Sequence, residues 1–143
     1  MLRESFIHSL MSTFPAEHFK FSNDVSRLAS IPMPNGRGEL VIHDDGDELT
    51  FYLSDITHCH FSQDYLGDGK YSSEANVIEE AIDYLSDLFS DRVVFYRALN
   101  GGRDGSIQCP SPDQTSKVLA DCNCYLWSKP LERNTEQDAT SNY

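Results

Sequence analysis

The stretch THCHF, residues 57–61, sets His58, Cys59 and His60 side by side in a chain with five histidines and four cysteines. A second thiol pair, Cys122 and Cys124 in DCNCYLW, repeats the one-residue spacing. Imidazole and thiolate are preferred zinc ligands, so the two pairs are candidate halves of one metal site. A cysteine between two histidines is also the raw material of a thiol nucleophile and its base. Both chemistries depend on which way the side chains face.

Side chains alternate faces along a strand, so residue parity makes a test. In LTFYLSDITHCHF, Leu49, Phe51, Leu53, Asp55, Thr57, Cys59 and Phe61 share one face, and Thr50, Tyr52, Ser54, Ile56, His58 and His60 share the other. The first set is the more apolar, so Cys59 is expected inward and both histidines outward. A bulge at Ser54–Asp55 would shift the earlier half without separating His58 from His60. Read as a last strand, SKVLADCNCYLW puts Cys122 and Cys124 with Val118, Ala120 and Leu126, where free cysteine behaves as a small buried hydrophobe. The two pairs then face opposite sides of the sheet, which disfavours a zinc site built from His58, His60, Cys122 and Cys124. Adjacent strand residues also point apart, so neither histidine is placed to act as base for Cys59.

Other catalytic patterns are weak. No CxxC pair, HExxH helix, GxSxG, P-loop or GxGxxG occurs in the sequence. Asp64, Asp68 and Glu74 resemble a calcium loop only in part, because the third position counted from Asp64 is Leu66. The expectation is a protein without enzymatic activity and without a cofactor. Two alternatives stay open: a metal-dependent hydrolase using His58 and His60 with nearby carboxylates, and a structural or adaptor subunit of a larger assembly.

The elements that position these residues follow from hydrophobic periodicity. Leu2, Phe6, Ile7, Leu10, Met11 and Phe14 recur at helical steps up to Pro15, which predicts an amphipathic N-terminal helix. A short apolar cluster follows in HFKFSNDVSRLAS, and IPMPNGRGE reads as a loop into the first strand, ELVIHDD. The turn DDGDE suits a hairpin into LTFYLSDITHCHF. QDYLGDGKYSS is loop-like and ends in serines able to cap a helix. Val77, Ile78, Ala81, Ile82, Leu85, Leu88 and Phe89 then form one stripe, predicting a helix over 75–89. DRVVFYRAL reads as a strand, NGGRDG as a turn and SIQC as a short returning strand. The expected fold is α+β: a mainly antiparallel sheet of four to five strands, with the N-terminal helix and the central amphipathic helix packed on it. Residues 1–130 are expected to form a single domain, and 131–143 a polar, flexible tail.

Charge bounds the partners. With 143 residues there is length for one core, and 23 acidic against 11 basic residues give a formal net charge of −12. That field repels nucleic-acid backbones and anionic membranes, and it attracts a basic protein. The N-terminal segment lacks the continuous apolar region of a signal peptide, and no run is long enough to span a bilayer. A soluble cytoplasmic protein with reduced cysteines is expected, a monomer that awaits its partner. The outward Tyr52, His58 and His60, bordered by Asp44, Asp45, Asp47, Glu48, Asp55 and Asp64, are the candidate contact surface, with aromatic anchors and an acidic rim. Glu79, Glu80, Asp83, Asp87 and the following Asp91 make a second negative band along the central helix and its end.

DITHCHF, followed by EEAIDYLSDLFSDRVVFYRA and the glycine-rich turn, resembles small acidic bacterial immunity proteins encoded beside polymorphic or contact-dependent toxins. The resemblance spans about residues 49–107. It implies a protein that neutralises a cognate basic toxin, such as a nuclease, by binding it and occluding its active site. On this chain the matching positions are His58, His60 and Phe61 in the ITHCHF strand and Asp91 and Arg92 in the DRVV segment.

Overall fold

The computed structural model describes residues 2–62 and 73–132. The chain runs α1 (Leu2–Thr13), β1 (Lys20–Phe21), β2 (Arg27–Pro32), β3 (Glu39–Asp44), β4 (Glu48–Leu53), β5 (Thr57–Ser62), α2 (Glu74–Phe89), β6 (Val93–Ala98), β7 (Asp104–Gln108), α3 (Pro112–Asp121), β8 (Cys122–Tyr125) and β9 (Pro130–Leu131). Two antiparallel sheets result, a five-stranded one in the order β1-β2-β3-β4-β5 and a four-stranded one in the order β7-β6-β8-β9. The fold is α+β, with the N-terminal and central helices in the expected places.

The larger sheet is a meander, each strand joined to the next by a short turn. Gly46 makes the β3–β4 turn at φ 97°, a conformation glycine adopts without steric cost. LTFYLSDITHCHF is a hairpin rather than one continuous strand, because Ser54 takes φ 55° and reverses the chain through Ser54, Asp55 and Ile56. Those three loop residues put Leu53 opposite Thr57, Phe51 opposite Cys59 and Tyr52 opposite His58. Odd residues therefore meet odd and even meet even, and the parity assignment of faces survives the turn.

The odd face of that hairpin is the core face. Leu40, Ile42, Leu49, Phe51, Leu53 and Phe61 pack there under α1 and α2, with Phe6, Leu10, Val77, Ala81, Leu85 and Leu88 all buried. The ring of Phe51 lies 6.1 Å from both Phe6 of α1 and Tyr84 of α2. Val93, Phe95 and Trp127 bring the second sheet into the same core. Thr57 at the edge of one sheet donates a 2.7 Å hydrogen bond to Asp104 at the edge of the other.

Helix α2 starts and stops on sequence signals. Ser73 caps it by accepting from the Asn76 N–H at 3.2 Å. At the other end Asp91, at φ 60°, turns the chain into the left-handed conformation usually given to glycine. Its N–H reaches Leu88 O at 3.1 Å while the Arg92 N–H reaches Asp87 O at 2.8 Å, a paired closure of the last turn. The Asp91 carboxylate accepts from the Ser128 N–H at 2.9 Å, tying the helix stop to the C-terminal segment.

Two further elements differ from the sequence expectation. RLASIP, read as the end of an apolar cluster running into a loop, is strand β2, with Leu28, Ala29, Ser30 and Ile31 all buried. Its alternation is hidden because it is covered on both faces and bulged between Arg27 and Ala29. SKVLAD, expected as the start of the last strand, lies in α3, and only Cys122–Tyr125 form β8. The reason is a capping box: the Ser111 side chain accepts from the Gln114 N–H at 3.2 Å and the Gln114 side chain accepts from the Ser111 N–H at 2.8 Å. Of the expected tail, residues 133–143 lie outside the described residues, while Leu131 belongs to β9.

Candidate functional site

The even face of the β4–β5 hairpin is the candidate site. Tyr52 is 38% exposed, and His58 and His60 are exposed beside it. Hydrogen-bonded pairing across β3, β4 and β5 fixes what stands next to them: His43 lies opposite Thr50, Thr50 opposite His60, and Tyr52 opposite His58. The rings form one continuous row. His43 meets Tyr52 edge-on at 4.9 Å, Tyr52 meets His58 at 5.6 Å, and His58 meets His60 edge-on at 5.0 Å. Tyr52 thus stands between two imidazoles, with little rotamer freedom left to lose when something binds it.

His43 was not among the residues singled out from the sequence. The signal was available, since ELVIHDD alternates and places His43 with Val41 and Glu39 on the face opposite Leu40 and Ile42. Reading that strand by parity as well would have found it.

A hydrogen-bonded chain closes one end of the row. The Nδ1 atom of His60 lies 2.7 Å from Glu48 Oε1 and 3.0 Å from the Thr50 hydroxyl, which itself donates to Asp45 Oδ2 at 3.1 Å. A carboxylate only accepts, so Nδ1 carries the proton, and in the neutral ring the lone pair lies on Nε2. Thr50 is buried beneath these groups. Asp47 is exposed in the adjoining turn, whereas Asp55 is exposed at the opposite end of the hairpin, where it accepts weakly from Ser54 at 3.4 Å. Arg27 reaches across the face to Glu39 at 3.1 Å.

Asp44 does not join this surface. It sits opposite Leu49 on the core side, with its carboxylate 3.7 Å from Arg3 of α1. The Arg3 guanidinium also donates to the carbonyls of Ser22, Val25 and Arg27, so Asp44 balances a cation that pins the β1–β2 loop to the helix. Asp64 lies outside the described residues. Of the two positions in the DRVV segment, Asp91 closes α2, and Arg92 donates to Asp87 at 2.9 Å. Both have structural work.

The thiols lie elsewhere. Cys59 faces the core, and burial pushes its thiol up to about 12, offset in part by a hydrogen bond to Tyr84. Burial also pushes the Tyr84 phenol well above its ordinary value, with Cys59 adding to the effect and a 3.0 Å hydrogen bond from the phenol to Ser106 opposing it. Cys59 is therefore a protonated core residue with both neighbouring histidines on the far side of the strand, and the nucleophile-and-base arrangement is not formed. Cys122 and Cys124 are buried in the second sheet under Val118 and Leu119 of α3. The two pairs of the sequence motif belong to different sheets. Among the described residues no three His, Cys, Asp or Glu side chains stand together as ligands for one metal ion.

The remaining exposed groups are less organised. Glu79, Glu80 and Asp83 project from α2, while Asp87 is engaged by Arg92 and by Gln108 at 2.6 Å. No helix among the described residues is long and apolar enough to cross a membrane. What the fold and face define is an acidic α+β protein with an open, aromatic and imidazole-bearing sheet surface. Compared with known proteins, the chain matches no family model, no curated protein and no solved structure.

Proposed function

We propose that this chain is an immunity protein of the antitoxin type, which binds a basic toxin, such as a nuclease, and occludes its active site. The observation that carries the reading is the exposed Tyr52 clasped between His43 and His58. Asp45, Asp47 and Glu48 lie at one end of that face and Asp55 at the other, on a molecule of net charge −12. A rigid aromatic anchor inside an acidic border suits capture of a cationic surface: charge speeds encounter, and the desolvated ring supplies the lasting contact. A nuclease cleft carries the cations that neutralise phosphate, so an acidic face competes for the place nucleic acid would take.

The test begins with capture of the tagged protein's partner from its native lysate, with metal analysis of the same sample. The captured basic protein is then assayed alone and with one equivalent of this chain, and inhibition that is lost with Tyr52→Ala is the expected result. A partner that keeps full activity in the complex defeats the proposal, as does stoichiometric zinc or manganese retained with no partner at all.

A further inference from the structure

Two of the chain's four thiols, Cys122 and Cys124, stand two positions apart on one face of β8, with about 6.7 Å between their Cα atoms. The Cys124 thiol leans back along the strand and donates weakly to Cys122 O at 3.8 Å, which directs the second sulfur toward the first residue. Around the pair are Val94 of β6 and Val118 and Leu119 of α3.

The edge of the sheet is open beside them. Strand β8 pairs with β6 along its whole length, from Ala98 opposite Cys122 to Phe95 opposite Tyr125, but β9 covers only Cys124 and Tyr125. The outer edge at Cys122 and Asn123 has no strand neighbour among the described residues. A cleft of about 400 Å³ lies there, bordered by Tyr125, Pro130 and Leu131 and lined by both cysteines. Cys122 is 8% exposed and Cys124 1%, so this entry suits a bare ion better than a bulky reagent.

The donor set decides which ion. Paired thiols are soft ligands, which select copper(I) and zinc over harder cations. Zinc completes a tetrahedron of four ligands, and the cleft does not supply them. Asn123 alternates to the opposite face, Glu132 is exposed at the mouth, and among the described residues no third His, Cys, Asp or Glu side chain joins the pair. Copper(I) accepts two sulfurs in line. We infer that Cys122 and Cys124 form a two-coordinate site for this soft monovalent cation at the open edge of the second sheet. On binding, each S–H releases its proton to water and each sulfur gives a lone pair to the metal, with no change in oxidation state. The site lies on the other sheet from Tyr52 and is independent of the partner-binding role proposed above.

The probe is copper(I) alone, offered to the full chain under nitrogen as its coloured bicinchoninate complex. The chain should withdraw one equivalent, read as loss of colour, and excess zinc should not displace it. X-ray absorption of the loaded protein should show two sulfur neighbours at the metal, while the Tyr52 and His58 ring signals in its NMR spectrum stay in place. Cys122→Ala and Cys124→Ala should each abolish the uptake with those ring signals retained, and Cys109→Ser, at the exposed thiol, should keep it. Should an alanine variant misfold, the sulfur count in the native chain decides alone. A colour that does not fade overturns the inference, as do uptake that persists in the folded Cys122→Ala/Cys124→Ala double variant and uptake lost with Cys109→Ser. Nitrogen or oxygen neighbours at the metal, with shifted histidine rings, overturn it too by placing the ion on the first sheet.

Discussion

At the scale of single residues, the thiols separate cleanly by environment. Cys109 is the exposed one; Cys122 and Cys124 are buried, and Cys59 is largely so. A thiol reagent at neutral pH should therefore modify Cys109 in the native protein and reach the other three only after unfolding, which mass spectrometry of the labelled chain would verify. Cys109 is itself held above its ordinary value, by desolvation first and then by the Asp87 carboxylate that accepts its S–H at 3.5 Å. Asp87→Asn should accordingly speed its labelling. Asp87 is held below its ordinary 3.8, first by the hydrogen bond from Gln108 and then by Arg92. Because the folded value is the lower one, its contribution to stability is present above the ordinary carboxylate value and disappears as pH falls through the folded value. Denaturant midpoints of native and Asp87→Asn protein should differ at pH 7 and converge in acid below about pH 4. A gap that stays constant across that range would mean Asp87 acts through packing alone.

At the scale of elements, the stops and turns carry specificity beyond the apolar pattern. Gly38 sits at φ 105°, and a Cβ there would fall 2.4 Å from Ser54 Oγ, in the turn that creates the β4–β5 hairpin. Gly38→Ala should destabilise the fold by about 1–3 kcal/mol through backbone strain, and because it presses on that turn it should also disturb the Tyr52 and His58 ring signals. Ser111→Ala removes one half of the α3 capping box and should cost about 1 kcal/mol, read from chemical denaturation, with the sheet-face signals unmoved. The capping box was legible in SPDQ, yet the β-branched and apolar run after it was read by alternation, so helix was mistaken for strand. Helix α3 has no fully buried residue, being a cover over Val94, Cys122 and Cys124 rather than a core element. A helix of that kind leaves only a faint stripe in the sequence.

At the scale of the whole molecule, the binding role proposed above has excess negative charge act on encounter more than on the fold. Reversing Asp45 and Asp47 to lysine should slow association with the captured basic partner by about threefold to tenfold at low salt, with the difference closing as ionic strength rises. An on-rate indifferent to both salt and these changes would remove electrostatic steering from the account. Asp44→Lys belongs to a different experiment: it sets a second cation beside Arg3 on the core side, and should lower stability instead of the association rate. Stopped-flow binding and thermal unfolding of the same set of variants separate the two effects.

Sequence alone determined the two principal helices, the α+β class and the facing of Cys59 against His58 and His60, because each depends on local periodicity. That facing even survived an unforeseen turn, since three loop residues preserve odd-to-odd pairing. Pairing in space decided the rest. Only strand registry brings His43, forty-odd positions along the chain and unremarkable by itself, against Tyr52, and turns Asp44 away from its acidic neighbours toward Arg3. It also assigns the two cysteine-bearing motifs to separate sheets. Periodicity is a property of neighbouring residues, whereas a site is made by groups that registry and packing bring together from different strands.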